Sequence, residues 1–306
     1  MNQIEKRARR KYLTSAFILH MLNEIPESEM KKSYWNTFHC TRTAFKEITP
    51  DGVKFKSKYC MNRFCLTCAA VKTAHLIAGY KSILDTWQDK KFLTLTIPNV
   101  PHSVLNESIK EMHTQIRKIF DTSRRHRVKI LAVRKFEITY NSETDTYHPH
   151  FHYIVDTLPN AVFILNQWLE RFPDSRPIAQ EIRSCDENYI ELFKYFTKII
   201  SRKYEKVIAT NPHALDIIFT AVSGRRTVQN HGFKCNPKIA KEKFDEAAFG
   251  LLEKFNWDQQ IHDWINYLTG EVASNYTPTD VIENLVSQYQ KGRTRCQNEK
   301  SEQLVY

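Results

Sequence analysis

The sequence predicts an α+β fold in which an antiparallel sheet is covered by helices. Alternating apolar and polar residues over 91–97, 128–141 and 146–155 are typical of strands, and a short turn joins the last two into a hairpin. Apolar residues at helical spacing predict helices around them. Strands that lie in hairpins favour an antiparallel sheet. The expected helices cover 3–24, 70–90, 103–126, 160–172 and 188–204.

Three regions are expected along the chain. Residues 1–75 combine a basic helix, short hairpins around the turn at 49–52, and a cysteine cluster, which together predict a helical and zinc-binding region. Residues 76–233 carry the strands and the candidate catalytic groups. Residues 234–306 are close to neutral and are expected to be mostly helical.

The charge of the chain favours a polyanionic partner, most often nucleic acid. The net charge is +11, and residues 1–75 hold 14 Lys and Arg against 6 Asp and Glu, a net of +8. Solubility alone is the alternative explanation. Only seven glycines occur and no phosphate-cradling glycine motif is present, so nothing supports a bound ATP or dinucleotide. Without an apolar run near ~20 residues or a signal peptide, the protein is expected in the cytoplasm, away from membranes.

Three histidines alternate in the strand "TYHPHFHYIV". Side chains of a strand alternate between its faces, so His148, His150 and His152 share one face. Glu137 and Thr139 of the preceding strand are candidates to lie opposite, and a carboxylate there could supply a third ligand. The pattern favours a divalent metal site over a solvated histidine face.

A Glu, a Tyr and a Lys recur at helical spacing in "NYIELFKYFTKII". Glu191, Tyr195 and Lys198 would share one helix face. A tyrosine hydroxyl becomes a useful nucleophile when a metal or cation assists it, and a nearby Glu can act as a general base. An ordinary surface trio is the alternative.

The segment "YCMNRFCLTC" has spacing typical of a tetrahedral zinc site. Cys60, Cys65 and Cys68 would supply three thiolates, and Cys40 is preferred over His39 as the fourth ligand. Buried cysteines without a ligand are the alternative. Arg63, inside this segment, could bind phosphate.

Several of these motifs, in order, resemble those of plasmid rolling-circle replication initiators, the Rep proteins of the HUH endonuclease superfamily. The matching segments are "CMNRFCLTC", "FLTLTIPN", "LAVRKFEITYN", "YHPHFHYIV", "ELFKYFTK" and "SGRRTVQNHG", and the resemblance covers about residues 36–233. Two departures occur: Leu66 stands where the family often has proline, and no C-x2-C pair surrounds Cys40.

The resemblance implies a sheet of HUH-endonuclease type and a reaction at a replication origin. His150 and His152 match the histidine pair, Glu137 the acid of E-x-T-Y-N, and Tyr195 the nucleophile that becomes 5′-phosphotyrosyl linked. Glu191 falls where some members activate water. The remaining implied groups are a catalytic Mg²⁺ or Mn²⁺ with His148 beside it, Lys198 in the catalytic set, a structural Zn²⁺, and DNA contacts from Arg63, Arg124, Arg125, Arg127, Arg225 and Arg226.

The implied partners are single-stranded or hairpin origin DNA and the host's replicative helicase and polymerase, in a bacterial cell that carries a plasmid or phage. A conjugative relaxase or single-strand transposase would use the same chemistry. A zinc-containing DNA-binding initiator or repressor without catalysis is the alternative from another class, and it predicts no covalent adduct.

Overall fold

The computed structural model describes residues 1–185, 190–193, 200–203, 206–209, 211–235 and 252–290. Its helices are α1 (Gln3–Glu24), α2 (Lys31–Phe38), α3 (Leu66–Leu84), α4 (His102–Arg125), α5 (Leu158–Arg171), α6 (Ile190–Phe193) and α7 (Pro212–Val222). Its strands are β1 (Thr43–Thr49), β2 (Gly52–Ser57), β3 (Lys91–Thr96), β4 (Ala132–Asn141), β5 (Thr146–Val155), β6 (Glu181–Ser184), β7 (Ile200–Lys203), β8 (Lys206–Ala209), β9 (Val228–His231), β10 (Glu253–Asp258) and β11 (Asp263–Ile265).

The chain folds into two compact units. The first comprises 1–71, 198–216 and 240–306, and the second comprises 72–197 and 217–239. The division into functional regions at 1–75, 76–233 and 234–306, which the sequence suggested, stays a prediction. No helix among the described residues has both the length and the apolar character needed to cross a membrane.

The first unit contains one antiparallel sheet of order β11-β10-β1-β2, in which strands from the N-terminal and C-terminal parts of the chain pair. Helix α1 starts with a capping box, because the Asn2 side chain accepts from the Glu5 amide and the Glu5 carboxylate accepts from the Asn2 amide. Its buried face includes Phe17, Ile18 and Met21. Two charged residues of the same helix, discussed below, are buried as well.

The second unit is built on a five-stranded antiparallel sheet of order β6-β3-β5-β4-β9. Helices α4 and α5 pack on one face of it. The aromatic side chains of Phe136, Phe151 and Trp168 are fully buried there, and the Trp168 indole donates to the Thr96 carbonyl at 3.0 Å. This packed face fixes the strands whose opposite side carries the histidines. The predicted α+β class with an antiparallel central sheet is therefore confirmed.

Two local expectations are wrong. The helix expected over 188–204 is not continuous, because Ile200–Lys203 pairs with Lys206–Ala209 as a hairpin. The C-terminal region, expected to be helical, contains strands at Glu253–Asp258 and Asp263–Ile265, although residues 280–290 are helical. In Glu253–Asp258 two aromatic residues alternate, and in both places pairing with another strand overrides the local helical pattern.

Candidate functional site

The strand register brings the predicted metal ligands together. In the β4–β5 pair Glu137 lies opposite His150, and Thr139 lies opposite His148. On the other side of β5, Thr94 of β3 lies opposite His152. The histidine strand is thus central in the sheet, with a neighbouring strand on each side to hold its side chains in place.

Glu137, His150 and His152 form a compact group of possible metal ligands. Oε2 of Glu137 lies 3.5 Å from Nε2 of His150 and 3.8 Å from Nε2 of His152. One ligand atom from each residue lies within 4.8 Å of the others. The ring of His148 is centred 5.1 Å from that of His150, beside the group and outside it. These three donors suit a divalent ion with positions left for other ligands.

Hydrogen bonds on the far side of each imidazole turn Nε2 toward Glu137. Nδ1 of His150 donates to the His148 carbonyl at 3.0 Å, so Nε2 of the same ring faces the carboxylate. Nδ1 of His152 lies 3.1 Å from the Thr94 hydroxyl. Two imidazole nitrogens that face a carboxylate oxygen form a donor set that suits a divalent ion, so the residues present fit a metal ion.

The electrostatics keep this group in the form that a metal requires. Burial alone would raise the pKa of Glu137, but the hydrogen bond with His150 and the charge of Lys135 outweigh it and lower the pKa to about 2. Burial and the neighbouring His150 lower the pKa of His152 to about 4. At neutral pH the carboxylate is charged and the His152 imidazole is neutral, as ligation demands.

Lys135 is a further member of the histidine face that the sequence analysis missed. It is 4% exposed, and its ammonium lies 2.5 Å from Oε1 of Glu137, which leaves Oε2 for the histidines. The available signal was the segment "KFE" in β4, where Lys135 and Glu137 are two positions apart and therefore share a face of the strand. Thr94 was missed because its partner lies on another strand.

The candidate nucleophile and its neighbours fall largely outside the described residues. Tyr195 and Lys198 lie there, and of Glu191 only the backbone, within α6, is described. The expected shared face of these three residues therefore stays a prediction.

The four expected cysteines converge in the first unit. Sγ of Cys68 lies 3.4 Å from that of Cys40 and 3.6 Å from that of Cys60, and Cys65 completes the group. Sulfurs around a tetrahedral Zn²⁺ are separated by roughly 3.8 Å, given Zn–S bonds of ~2.3 Å. The spacing therefore fits a four-thiolate site, with Cys40 rather than His39 as the fourth member.

One thiol of the cluster, that of Cys60, favours its thiolate form. Hydrogen bonds from Cys40 and the other two thiols lower the pKa of Cys60. The Cys60 amide also donates to the Cys40 sulfur at 3.4 Å. His39 instead stacks against Trp35, with ring centroids 5.9 Å apart.

Helix α1 directs a row of buried polar residues toward the cysteine cluster. Arg7 is 9% exposed and Lys11 is 2% exposed. The Lys11 ammonium donates to the Phe38 carbonyl at 2.6 Å, and the Arg7 guanidinium lies 5.4 Å from the centre of the Tyr59 ring. Both cations are within electrostatic reach of Cys40.

No carboxylate among the described residues pairs with Arg7 or Lys11. Buried cations are costly unless an opposite charge compensates them. A Zn²⁺ with four thiolates carries a net charge of about −2 and would supply that compensation. The sequence analysis missed both residues, since a basic helix normally exposes its charges.

The arginines predicted to contact DNA differ in their exposure. Arg63 is half-buried in the turn before Cys65. Arg124 and Arg125 end α4, and Arg127 follows in the next turn. Arg226 is exposed before β9, whereas Arg225 is half-buried and donates to the Ala221 carbonyl at 2.8 Å.

Comparison with known proteins bears on the same region of the chain. Residues 52–170 match the family model described as "Replication protein". The matched segment contains Cys60, Cys65, Cys68 and the whole Glu137–His150–His152 group. It ends before Tyr195.

Several curated relatives carry the name "Protein rep", among them the following three. One from Staphylococcus aureus is 39% identical over 106 residues, covering 33% of this chain and 46% of the relative. One from a Bacillus species is 32% identical over 111 residues, which cover 35% of this chain and 36% of the relative. One from Bacillus amyloliquefaciens is 32% identical over 111 residues, which cover 35% of this chain and 33% of the relative.

The chain thus spans less than half the length of these relatives. No solved structure matches it. Residues 52–170 therefore match the replication protein family, which confirms for that segment the resemblance to plasmid Rep proteins.

Proposed function

We propose that this protein initiates rolling-circle replication by nicking one strand of the origin DNA. The observation that carries the proposal is the convergence of Glu137, His150 and His152 within a replication protein domain. A metal-binding face of this kind in a DNA-directed protein supports phosphodiester chemistry of the HUH type. The net charge of +11 suits a DNA substrate.

In the proposed reaction the Tyr195 hydroxyl releases its proton to solvent, and its oxygen attacks the scissile phosphorus. The bond from phosphorus to the 3′ oxygen breaks, and the departing oxygen takes a proton to become a free 3′-OH primer. The 5′ phosphate stays bonded to the tyrosine, so the energy of the broken ester is kept for rejoining and no ATP is required. A divalent ion, Mg²⁺ or Mn²⁺, would polarise the scissile phosphate when bound to the three ligands.

The other residues have supporting roles in this proposal. Glu191 accepts a proton from the water that hydrolyses the phosphotyrosine at termination, and Lys198 favours the phenolate form of Tyr195. Lys135 holds one oxygen of Glu137 and so fixes the direction of the other. Cys40, Cys60, Cys65 and Cys68 hold a structural Zn²⁺, and the exposed arginines bind the DNA backbone.

The proposed function also implies a DNA substrate, host protein partners and a location in the cell. Origin DNA in single-stranded or hairpin form is the substrate, and the host helicase and polymerase extend from the new 3′-OH. The cytoplasm of a bacterial cell is the proposed location, because the replicon and these enzymes are found there.

Incubation of a labelled single-stranded origin oligonucleotide with the protein and Mn²⁺, followed by a denaturing gel, tests the proposal. We expect a shortened strand and a protein-linked product. Tyr195→Phe should abolish both while DNA binding persists, because only the hydroxyl is lost. Tyr189→Phe and Tyr204→Phe are the matched controls. An adduct that survives Tyr195→Phe would assign the nucleophile to another tyrosine.

A DNA-binding initiator without catalysis is the second candidate, favoured by the four-cysteine cluster. It predicts specific origin binding with no covalent product in the presence of any divalent ion. The same gel separates the two candidates, because a free 3′-OH with a linked 5′ end occurs only in the first.

A further inference from the structure

A second polar site lies in the catalytic unit, on the face of the five-stranded sheet opposite the histidines. It is a cavity of about 430 Å³ among α4, β4 and β9. Arg134 of β4 lines it, whereas the next residue, Lys135, points to the histidine face, because neighbouring strand residues alternate. Ligand cavities commonly measure ~300–1,000 Å³, so this volume suits a ligand about the size of one nucleotide.

The floor of the cavity holds a buried cation without an acidic partner. Arg134 is 4% exposed, and its guanidinium lies 4.7 Å from the centre of the Phe151 ring. Nη2 donates to Gln229 Oε1 at 2.7 Å and lies 3.4 Å from Nδ1 of His113. Both partners are neutral acceptors. Within the part of the chain that the structure describes, no carboxylate pairs with this guanidinium.

The neighbouring imidazole does not share the positive charge. Burial, followed by the charge of Arg134, lowers the pKa of His113 to about 4, so its ring is neutral at neutral pH. Its Nδ1 lone pair accepts from Arg134 and helps to orient the guanidinium. The uncompensated charge in the floor therefore belongs to Arg134 alone.

The rim of the cavity adds further positive charge. Arg117, Arg124 and Lys129 line it and are exposed, and no Asp or Glu is among the described residues that line it. Arg124 is paired with Asp121, which lies outside the cavity. A buried arginine beneath a cationic rim is the arrangement that recognises phosphate oxygens, because the guanidinium offers several donors in a fixed plane.

The backbone around the cavity also has a specific shape. Gly232, at the end of the "SGRRTVQNHG" segment, has a φ of +77°, and a Cβ there would lie 2.1 Å from the Ile130 carbonyl oxygen. Only glycine permits this close approach. Gln229, His231 and Gly232 of that segment line the cavity. The segment thus gains a role that the nicking reaction does not give it.

We propose that this cavity binds a phosphate-bearing ligand of single-nucleotide size. Arg134 bonds the phosphate in the floor, and Arg117 and Lys129 close over it at the rim. The ligand's source is one nucleotide of the DNA strand or a free nucleotide, and the first of these sources rests on the proposed function. The phosphate chemistry of the cavity does not.

Isothermal titration of the full-length, metal-loaded protein with inorganic phosphate and with dTMP tests the proposal. We expect saturable binding that Arg117→Gln combined with Lys129→Gln weakens about tenfold, as expected for the loss of charge-assisted hydrogen bonds. The control combines Lys110→Gln with Lys118→Gln, which removes the same charge from α4 outside the cavity and should leave binding unchanged. Arg134→Gln should abolish binding, with circular dichroism to check its fold.

A competition arm identifies the source of the phosphate. If a single-stranded oligonucleotide displaces dTMP, the ligand is a nucleotide of the strand; if dTMP stays bound, a free nucleotide is the ligand. Absence of saturable binding, or equal loss in the rim and control variants, overturns the proposal. Nicking is measured on the same preparations, so a protein that nicks without binding phosphate refutes only the cavity, and one that binds phosphate without nicking refutes only the proposed reaction.

Discussion

The cysteine cluster and the histidine face are both sets of metal-type ligands, but they differ in their surroundings. The cysteine cluster offers four ligands, three of them buried, and the charges of α1 beside it are cations. The histidine face offers three ligands, of which Glu137 and His152 are half-buried, and it contains a carboxylate held by Lys135. A closed set of four ligands is typical of structural sites, and an incomplete set is typical of catalytic ones.

The difference shows that the residues around the ligands carry as much information as the ligands themselves. Arg7 and Lys11 match a centre with net negative charge, which four thiolates around Zn²⁺ provide. One carboxylate and two neutral imidazoles around a divalent ion leave a net charge of about +1, which attracts a phosphate. The first arrangement suits a structural site, and the second suits the phosphodiester chemistry that we propose.

The largest effect should follow the loss of one cysteine ligand. Cys68→Ser should remove about one zinc per chain and unfold the first unit, because structural zinc contributes ~10–16 kcal/mol in small zinc domains and exceeds typical domain stabilities of ~5–15 kcal/mol. Elemental analysis and thermal unfolding measure both results. Cys235→Ser, a cysteine outside the cluster, is the control. A Cys68→Ser protein that keeps its zinc and its melting temperature would contradict the comparison.

Loss of a histidine ligand should abolish cleavage while the fold survives. His150→Ala and His152→Ala should each remove Mn²⁺-dependent nicking, because two ligands cannot hold the ion as three do. His148→Ala, beside the group, should have a smaller effect. Manganese titration and the denaturing gel provide the two readouts. Full nicking in the presence of EDTA would exclude a metal on this face.

A smaller effect is expected from a buried cation of α1. Lys11→Met keeps the length of the side chain and removes its charge, so the dianionic centre loses part of its compensation. We expect zinc affinity to fall about 10–100-fold, the usual range for residues that contact metal ligands indirectly. Competition with a chromophoric chelator measures it. Lys6→Met, at an exposed position of the same helix, should change nothing.

The smallest effect should come from Thr94. Thr94→Val removes the hydroxyl 3.1 Å from Nδ1 of His152 and leaves every ligand in place. Manganese affinity should fall by about tenfold, because the imidazole loses the group that orients it. Thr96→Val on the same strand is the control. Equal affinities for the two variants would show that strand packing alone orients His152.

The sequence predicted the three central strands of the five-stranded sheet well, because the patterns that indicate them are local. Alternation within β4 and β5, joined by one short turn, was enough to expect Glu137 and Thr139 opposite the histidines, as the register confirms. The C-terminal strands were not predicted, because β10 pairs with β1 about 210 residues earlier in the chain. The burial of Lys11 was not predicted either, because its reason is a cluster of cysteines on other segments.

The first unit pairs N-terminal and C-terminal segments, and this pairing has a consequence for folding during biosynthesis. Lys11 precedes Cys68 by 57 positions, and Arg7 precedes Trp264, whose ring lies 5.2 Å from its guanidinium, by 257. At ~5–20 residues per second, translation supplies the cysteines after roughly 3–11 s and the tryptophan after roughly 13–51 s. The residues that bury helix α1 therefore become available in two stages. A chaperone that shields α1 during synthesis would act chiefly in the second interval.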